Sequence, residues 1–145
     1  MGSRFGSRPR TQPVILLDTH VLLWSRSGAE RIGPHCRQRI DRALRQTDLA
    51  VSAFSFWEVA MLQERGRINL LRDIGSWRAA LMEDGLIEIP VDGEIGIRAN
   101  RLEKFHLDPA DRIIVSTALD GHTLATADER ILGWDGSLAR LDARN

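Results

Sequence analysis

Short apolar runs alternate along this chain with longer stretches of helical spacing. Val14-Ile15-Leu16-Leu17 follows Pro13 and stops at Asp18, which reads as a short buried strand. Thr19 to Trp24 starts a helix, Ser25 to Gly33 is a loop, and Pro34 opens a second helix. In that helix Cys36, Ile40 and Leu44 recur on one face, with Arg37, Arg39, Arg42 and Arg45 towards solvent. Asp48 to Ser52 holds a second strand. Ala53 to Arg65 is the most strongly helical segment and ends at Gly66. Asp73 to Glu83 is amphipathic, with Ile74, Trp77 and Leu81 inward, and stops near Gly85. Leu86 to Val91 is a third strand, and Asp92 to Phe105 a helix with Ile95, Ala99 and Leu102 inward. After Asp108-Pro109 a long apolar helix runs from Ala110 to Leu119 and is stopped by Gly121. His122 to Ala125 is a fourth strand, Asp128 to Leu132 a short helix, and Leu138 to Leu141 a weak edge strand.

Helices separating short apolar strands imply βαβ crossovers. The expected fold is an α/β three-layer sandwich, with a mainly parallel sheet of about five short strands and helices on both faces. Residues 1–12 are expected to be a loose tail and residues 13–145 one domain; no internal repeat or linker interrupts them.

Composition narrows the picture only modestly. With 145 residues, 43% hydrophobic and 28% charged, the chain is long enough for one sizeable core. No apolar stretch approaches the ~20 residues of a membrane span. The first residues lack the apolar region of a signal peptide. Cys36 is the only cysteine, which excludes an intrachain disulfide and a cysteine zinc cluster and fits a cytoplasmic setting. Formal net charge is zero, so no bulk attraction to nucleic acid exists. Lys104 is the sole lysine among twenty basic residues. Arginine's planar fork suits phosphate, but a coding bias explains the excess equally well.

The chemistry lies in the acids. In open α/β sheets ligands sit outside the carboxyl ends of the strands. Asp18 follows the first strand, Glu58 lies in the second turn of the helix after the second strand, Asp111 is in the first turn of the helix opened by Asp108-Pro109, and Asp128 follows the fourth strand. Carboxylates gathered at one edge repel, and a divalent cation stabilises them. Oxygen donors without cysteine or a spaced histidine pair favour Mg²⁺ or Mn²⁺ over zinc. Such an ion activates water and neutralises phosphate oxygens, which points to phosphodiester hydrolysis. Each acid also has a structural reading. Asp18 and Asp108 are natural helix caps, and Ser55-x-x-Glu58 and Thr126-Ala127-Asp128-Glu129 both match capping boxes. Only the convergence of all four raises the catalytic reading.

Four segments resemble one family. Leu16-Leu17-Asp18-Thr19-His20-Val21-Leu22-Leu23-Trp24 is similar to the opening motif of VapC-type PIN domains, and Val51-Ser52-Ala53-Phe54-Ser55-Phe56-Trp57-Glu58-Val59 to their glutamate-bearing helix. His106-Leu107-Asp108-Pro109-Ala110-Asp111-Arg112-Ile113-Ile114-Val115 resembles the third motif, and Leu124-Ala125-Thr126-Ala127-Asp128 the fourth. The resemblance implies a PIN fold and an Mg²⁺- or Mn²⁺-dependent endoribonuclease. It also implies a homodimer and inhibition by a VapB-type antitoxin. Asp18, Glu58, Asp111 and Asp128 then become the metal-binding acids. Asp108 is an accessory candidate, Thr126 orients Asp128 or the attacking water, and Arg112 touches phosphate or forms an ion pair. The extra acid Glu129 is expected to be exposed capping chemistry.

The remaining signals are weaker. His20, His35, His106 and His122 show no metal-ligand spacing, although His20 and His106 stand beside candidate acids. Arg65, Arg67, Arg72 and Arg78 form either an RNA-facing rim or a solvated helical face. Trp24, Trp57, Trp77 and Trp134 fit core or interface positions. Phe54, Phe56, Trp57 and Met61 exceed one helical face, as expected of a subunit or antitoxin contact. Two other readings stay open: a PIN-fold processing nuclease without an antitoxin, and a non-catalytic module whose acids are caps. A phosphatase is disfavoured because no Walker-type loop is present.

Overall fold

A computed structural model describes residues 12–145; all but the last residue of the expected tail, residues 1–12, therefore lies outside the described residues. The chain runs β1 (Ile15–Leu17), α1 (Thr19–Ser27), a 3₁₀ turn (Ala29–Arg31), α2 (Pro34–Arg45), β2 (Leu49–Ser52), α3 (Ala53–Glu64), α4 (Ile74–Glu83) and β3 (Ile87–Ile89). It continues with α5 (Gly93–Asn100), α6 (Pro109–Ala118), β4 (Thr123–Thr126), α7 (Glu129–Leu132) and β5 (Ala139–Asp142). Gly66 and Gly121 adopt φ of 71° and 93° just past α3 and α6, the left-handed conformation that ends a helix at glycine.

The five strands form one sheet in the order β3-β2-β1-β4-β5, and every pairing is parallel. The pleat divides the strand side chains between two cores. Ile15, Leu17, Leu49 and Val51 pack with Val21, Cys36, Ile40, Val59, Trp77 and Leu81 from α1 to α4. Leu16, Ala50 and Leu124 pack on the opposite face with Phe105, Ile114, Val115 and Ile131. Both faces are covered, which is why the strands read as continuous apolar runs. Burial of a side chain such as Leu16, Leu17 or Leu124 stabilises by about 1.5–3 kcal/mol.

The strand order sets where chemistry can occur. The chain leaves the central β1 on one side to build β2 and β3, then returns to the other side of β1 for β4 and β5. Such a switch point opens a crevice at the carboxyl ends of the two strands that flank it, here β1 and β4.

Two segments depart from expectation. The helix expected over Asp92 to Phe105 stops at Asn100 although its apolar spacing continues to Leu102. The Arg112 guanidinium accounts for this: it donates to the carbonyls of Ala99 (3.0 Å), Phe105 (2.8 Å) and His106 (2.9 Å). Ala99 thereby finds a partner other than the next helical turn, and Lys104 turns to φ 57°. The expected loop Ser25 to Gly33 is partly helical, since α1 continues to Ser27 and a 3₁₀ turn follows.

Candidate active site

Asp18 is the residue after β1 and the N-cap of α1. Leu17 ends a strand buried on both faces, so Asp18 is carried into the interior at the switch point and is only 6% exposed. Its Oδ1 accepts the Thr19 backbone N–H at 2.8 Å, and its Oδ2 accepts the Thr126 hydroxyl at 2.7 Å. Thr126 is the last residue of β4, the strand beside β1. Its hydroxyl oxygen also accepts the Asp128 backbone N–H at 3.0 Å, so one side chain ties two of the acids to the sheet.

Glu58 reaches the same crevice from α3. Its carboxylate accepts a short hydrogen bond from the Thr19 hydroxyl, which in turn lies 2.8 Å from the buried Ser55 hydroxyl. With the single Thr19 proton given to Glu58, Ser55 is the donor of that second bond. Ser55 therefore sits inside α3; the cap is Ser52, whose side chain accepts from Phe54 N. The capping box expected for Ser55 and Glu58 does not form.

Asp111 enters from the first turn of α6, where Asp108 caps the helix by accepting from the N–H groups of Ala110 and Asp111. Asp111 Oδ2 is 2.7 Å from His106 Nε2 and 3.5 Å from the Arg130 guanidinium, which also contacts Asp128 Oδ2 at 3.2 Å. Asp128 caps α7 through Arg130 N. Ligand atoms of His106, Asp111 and Asp128 lie within 4.8 Å of one another, a spacing that suits one metal ion. Asp18 and Glu58 join this group through Thr126 and Thr19 rather than by the same close approach.

Electrostatics report the crowding. Burial pushes the Asp18, Glu58 and Asp111 carboxyls above their ordinary values. Neighbouring acids add to the rise: Asp111 acts on Asp18, Asp18 and Asp111 act on Glu58, and Asp108 and Asp128 act on Asp111. Hydrogen bonds from Thr126, Thr19 and His106 oppose it. Asp128 is the exception: burial pulls it up, but the Arg130 side chain, backbone N–H and charge outweigh that and hold it low. Among the described residues no arginine or lysine pairs with Asp18 or Glu58.

The chain matches the PIN domain family over residues 15–134. It belongs to the PIN domain family. It is 35% identical over 119 residues to Ribonuclease VapC22 of Mycobacterium tuberculosis, a match covering 81% of this chain and 88% of that protein. This similarity puts it with the VapC-type PIN domains. Two solved structures share the PIN fold. One is a toxin–antitoxin complex from Klebsiella pneumoniae, with TM-score 0.57, 21% identity, and cover of 89% of this chain and 97% of that one. The other is DNA-bound VapBC from Salmonella typhimurium, with TM-score 0.64, 16% identity, and cover of 90% and 98%.

Within this PIN domain the structure brings Asp18, Glu58, Asp111 and Asp128 into one connected network, with Thr126 linking Asp18 to Asp128 and Asp108 at the margin. Arg112 is not part of it. Instead of an ion pair, Arg112 makes the three carbonyl bonds that shape the loop before α6. Glu129 is exposed, as expected, but pairs with Arg144 at 2.9 Å instead of capping. Thr19 and Arg130 of the network carry no role in the sequence reading, Ser55 stands there only as a cap, and His106 only as a neighbour of a candidate acid. His106 carried a signal, its place beside Asp108; Arg130 carried none, because its reach depends on α7 being a single turn.

Proposed function

We propose that this chain is a divalent-metal-dependent endoribonuclease, a cytoplasmic VapC-type toxin that cleaves RNA phosphodiester bonds and is neutralised by a VapB-type antitoxin. The observation that carries the reading is the junction at β1 and β4, where Asp18, held by Thr126, is joined through Thr19 to Glu58 and through Thr126 to Asp128. The similarity to a VapC ribonuclease and to structures of toxin–antitoxin complexes supports it.

The donor set fits a hard dication. Three acids are destabilised in their charged form, two of them lack a basic partner among the described residues, and the donors are carboxylate oxygens with a single imidazole. Asp18, Asp111, Asp128 and Glu58 would hold Mg²⁺ or Mn²⁺, with His106 as a further donor or as the partner that orients Asp111. When bound, such an ion supplies charge neutralisation at a phosphate and a more acidic water.

The chain's own residues prepare that chemistry. Thr126 aims Asp18 Oδ2, and the Ser55–Thr19 pair fixes one Glu58 oxygen. Arg130 spans Asp111 and Asp128 with a side chain 59% exposed, so its guanidinium can exchange a carboxylate for an incoming phosphate oxygen. On the outside of α3, Phe54 and Trp57 stack at 5.2 Å with Trp57 56% exposed. That apolar patch is the surface we assign to the homodimer.

Asp18→Asn and Asp111→Asn test the reading. Both variants are expected to fold, to lose metal-dependent RNA cleavage and to lose stabilisation by Mn²⁺. EDTA-insensitive cleavage by pure Asp18→Asn protein would overturn it.

A further inference from the structure

The loop after α5 and the turn after α7 enclose a cleft of about 400 Å³ beside the acid network. Lys104, Phe105, His106, Arg130, Trp134 and Asp135 line it. Two of these also face the acids. His106 Nε2 is 2.7 Å from Asp111 Oδ2, and the Arg130 guanidinium is 3.2 Å from Asp128 Oδ2. Cleft and acids therefore share a rim.

The aromatic wall is held firmly. Trp134 Nε1 donates to the Glu103 carbonyl at 2.9 Å, and its ring meets Phe105 edge-on at 5.3 Å. Phe105 stacks in turn on His106 with centroids 4.2 Å apart. A Cβ at position 136 would fall 2.2 Å from the indole, so Gly136 is what lets Trp134 lie in this place. Two cations stand at the same cleft. Arg130 is one. The other is Lys104, exposed, the sole lysine of the chain and held at φ 57° by the loop that Arg112 ties down.

We propose that this cleft is a nucleotide subsite: it takes one nucleotide of single-stranded RNA next to the scissile phosphodiester, with the base against Trp134 and His106, which the buried Phe105 backs, and the phosphate between Lys104 and Arg130. This inference rests on the ribonuclease reading above and names how its substrate is held. Stacking on an aromatic wall tolerates any base, because each presents a π-face, and the phosphate contacts add salt-dependent affinity. Bases paired in a duplex are already stacked on one another and cannot enter.

The test uses the full chain with Asp18→Asn to prevent turnover, and a fluorescein-labelled RNA tetranucleotide followed by anisotropy. Adding Lys104→Gln is expected to weaken binding about fivefold and to reduce the slope of log affinity against log salt by about 0.7, one phosphate contact on a single strand. Adding Trp134→Leu is expected to weaken binding about tenfold. Lys104 is exposed, so that arm stands even where Trp134→Leu disturbs the loop. Unchanged affinity and slope in Lys104→Gln would overturn the subsite, and metal-dependent RNA cleavage by the unsubstituted chain would then leave the ribonuclease reading standing. Loss of binding to an acidic peptide instead of RNA would assign the cleft to a protein partner and overturn the proposal. A chain with Asp18 intact that neither binds nor cleaves RNA would remove both readings together.

Discussion

Thr126→Val isolates the bond on which the site hangs. Valine keeps the volume and β-branching of threonine in the fully buried last position of β4, so the change removes a hydroxyl and little else. Two hydrogen bonds go with it. The bond to Asp18 Oδ2, made to a buried charge, contributes about 1.5–3 kcal/mol, and the bond from Asp128 N about 0.5–1.5 kcal/mol. The added methyl recovers roughly 0.8 kcal/mol. The net loss is about 1–4 kcal/mol, which for a chain of this length lowers the melting temperature by about 3–15 °C. Thermal unfolding in EDTA at neutral pH measures it, with Thr126→Ser as the control that keeps the hydroxyl. The loss has a pH signature. The hydrogen bond favours the charged form of Asp18, so the gap between wild type and variant is full at high pH. It narrows as pH falls through the raised Asp18 value, leaving the part due to the bond from Asp128 N. Equal melting of Thr126→Val and wild type, or a Thr126→Ser variant as unstable as Thr126→Val, would refute the role given to this hydroxyl.

Three further outcomes follow from the same geometry. Asp18→Asn removes a charge that burial makes unfavourable, so in EDTA its melting temperature is expected to equal or exceed that of wild type, while the increment produced by Mn²⁺ vanishes. Glu58 and Asp111 also have raised values, so each favours the folded state below its ordinary value, 4.5 and 3.8, and loses that contribution as pH rises through the folded one. Metal affinity is therefore expected to fall as pH is lowered from neutral, because protons compete for the same oxygens, and calorimetry across that range measures it. Gly33→Ala would place a Cβ 2.1 Å from Asn145 C and 2.4 Å from the Arg144 carbonyl oxygen, so this backbone must shift. It is expected to destabilise by about 1–3 kcal/mol in chemical denaturation, with faster amide exchange at Cys36, whose N–H bonds Asn145 O.

The sheet and its acids were legible because strand signals and acids coincide. A short apolar run ending in Asp18, and another ending in Thr126 two residues before Asp128, place side chains at strand ends whatever the strand order is. The order itself was not legible, since the crossovers look alike in sequence and only pairing distinguishes β2 from β4 as a neighbour of β1 on a given side. Ser55 and Glu58 show a different limit. Serine three residues before glutamate has the same spacing whether the serine caps a helix or lies within its first turns, and α3 begins three residues earlier than a cap at Ser55 would require. Arg130 holds the place beside the acids that was expected of Arg112. Arg112 adjoins Asp111 in sequence, yet helical geometry turns it to the loop carbonyls, whereas Arg130 lies far from Asp111 in sequence and beside it in space.

Crystals soaked in Mn²⁺, with anomalous scattering used to locate the ion, test the central claim most directly. A peak is expected among the carboxylates of Asp18, Glu58, Asp111 and Asp128, beside His106, at the junction of β1 and β4. A peak elsewhere on the surface, or none at this junction with Arg130 still spanning Asp111 and Asp128, would contradict it.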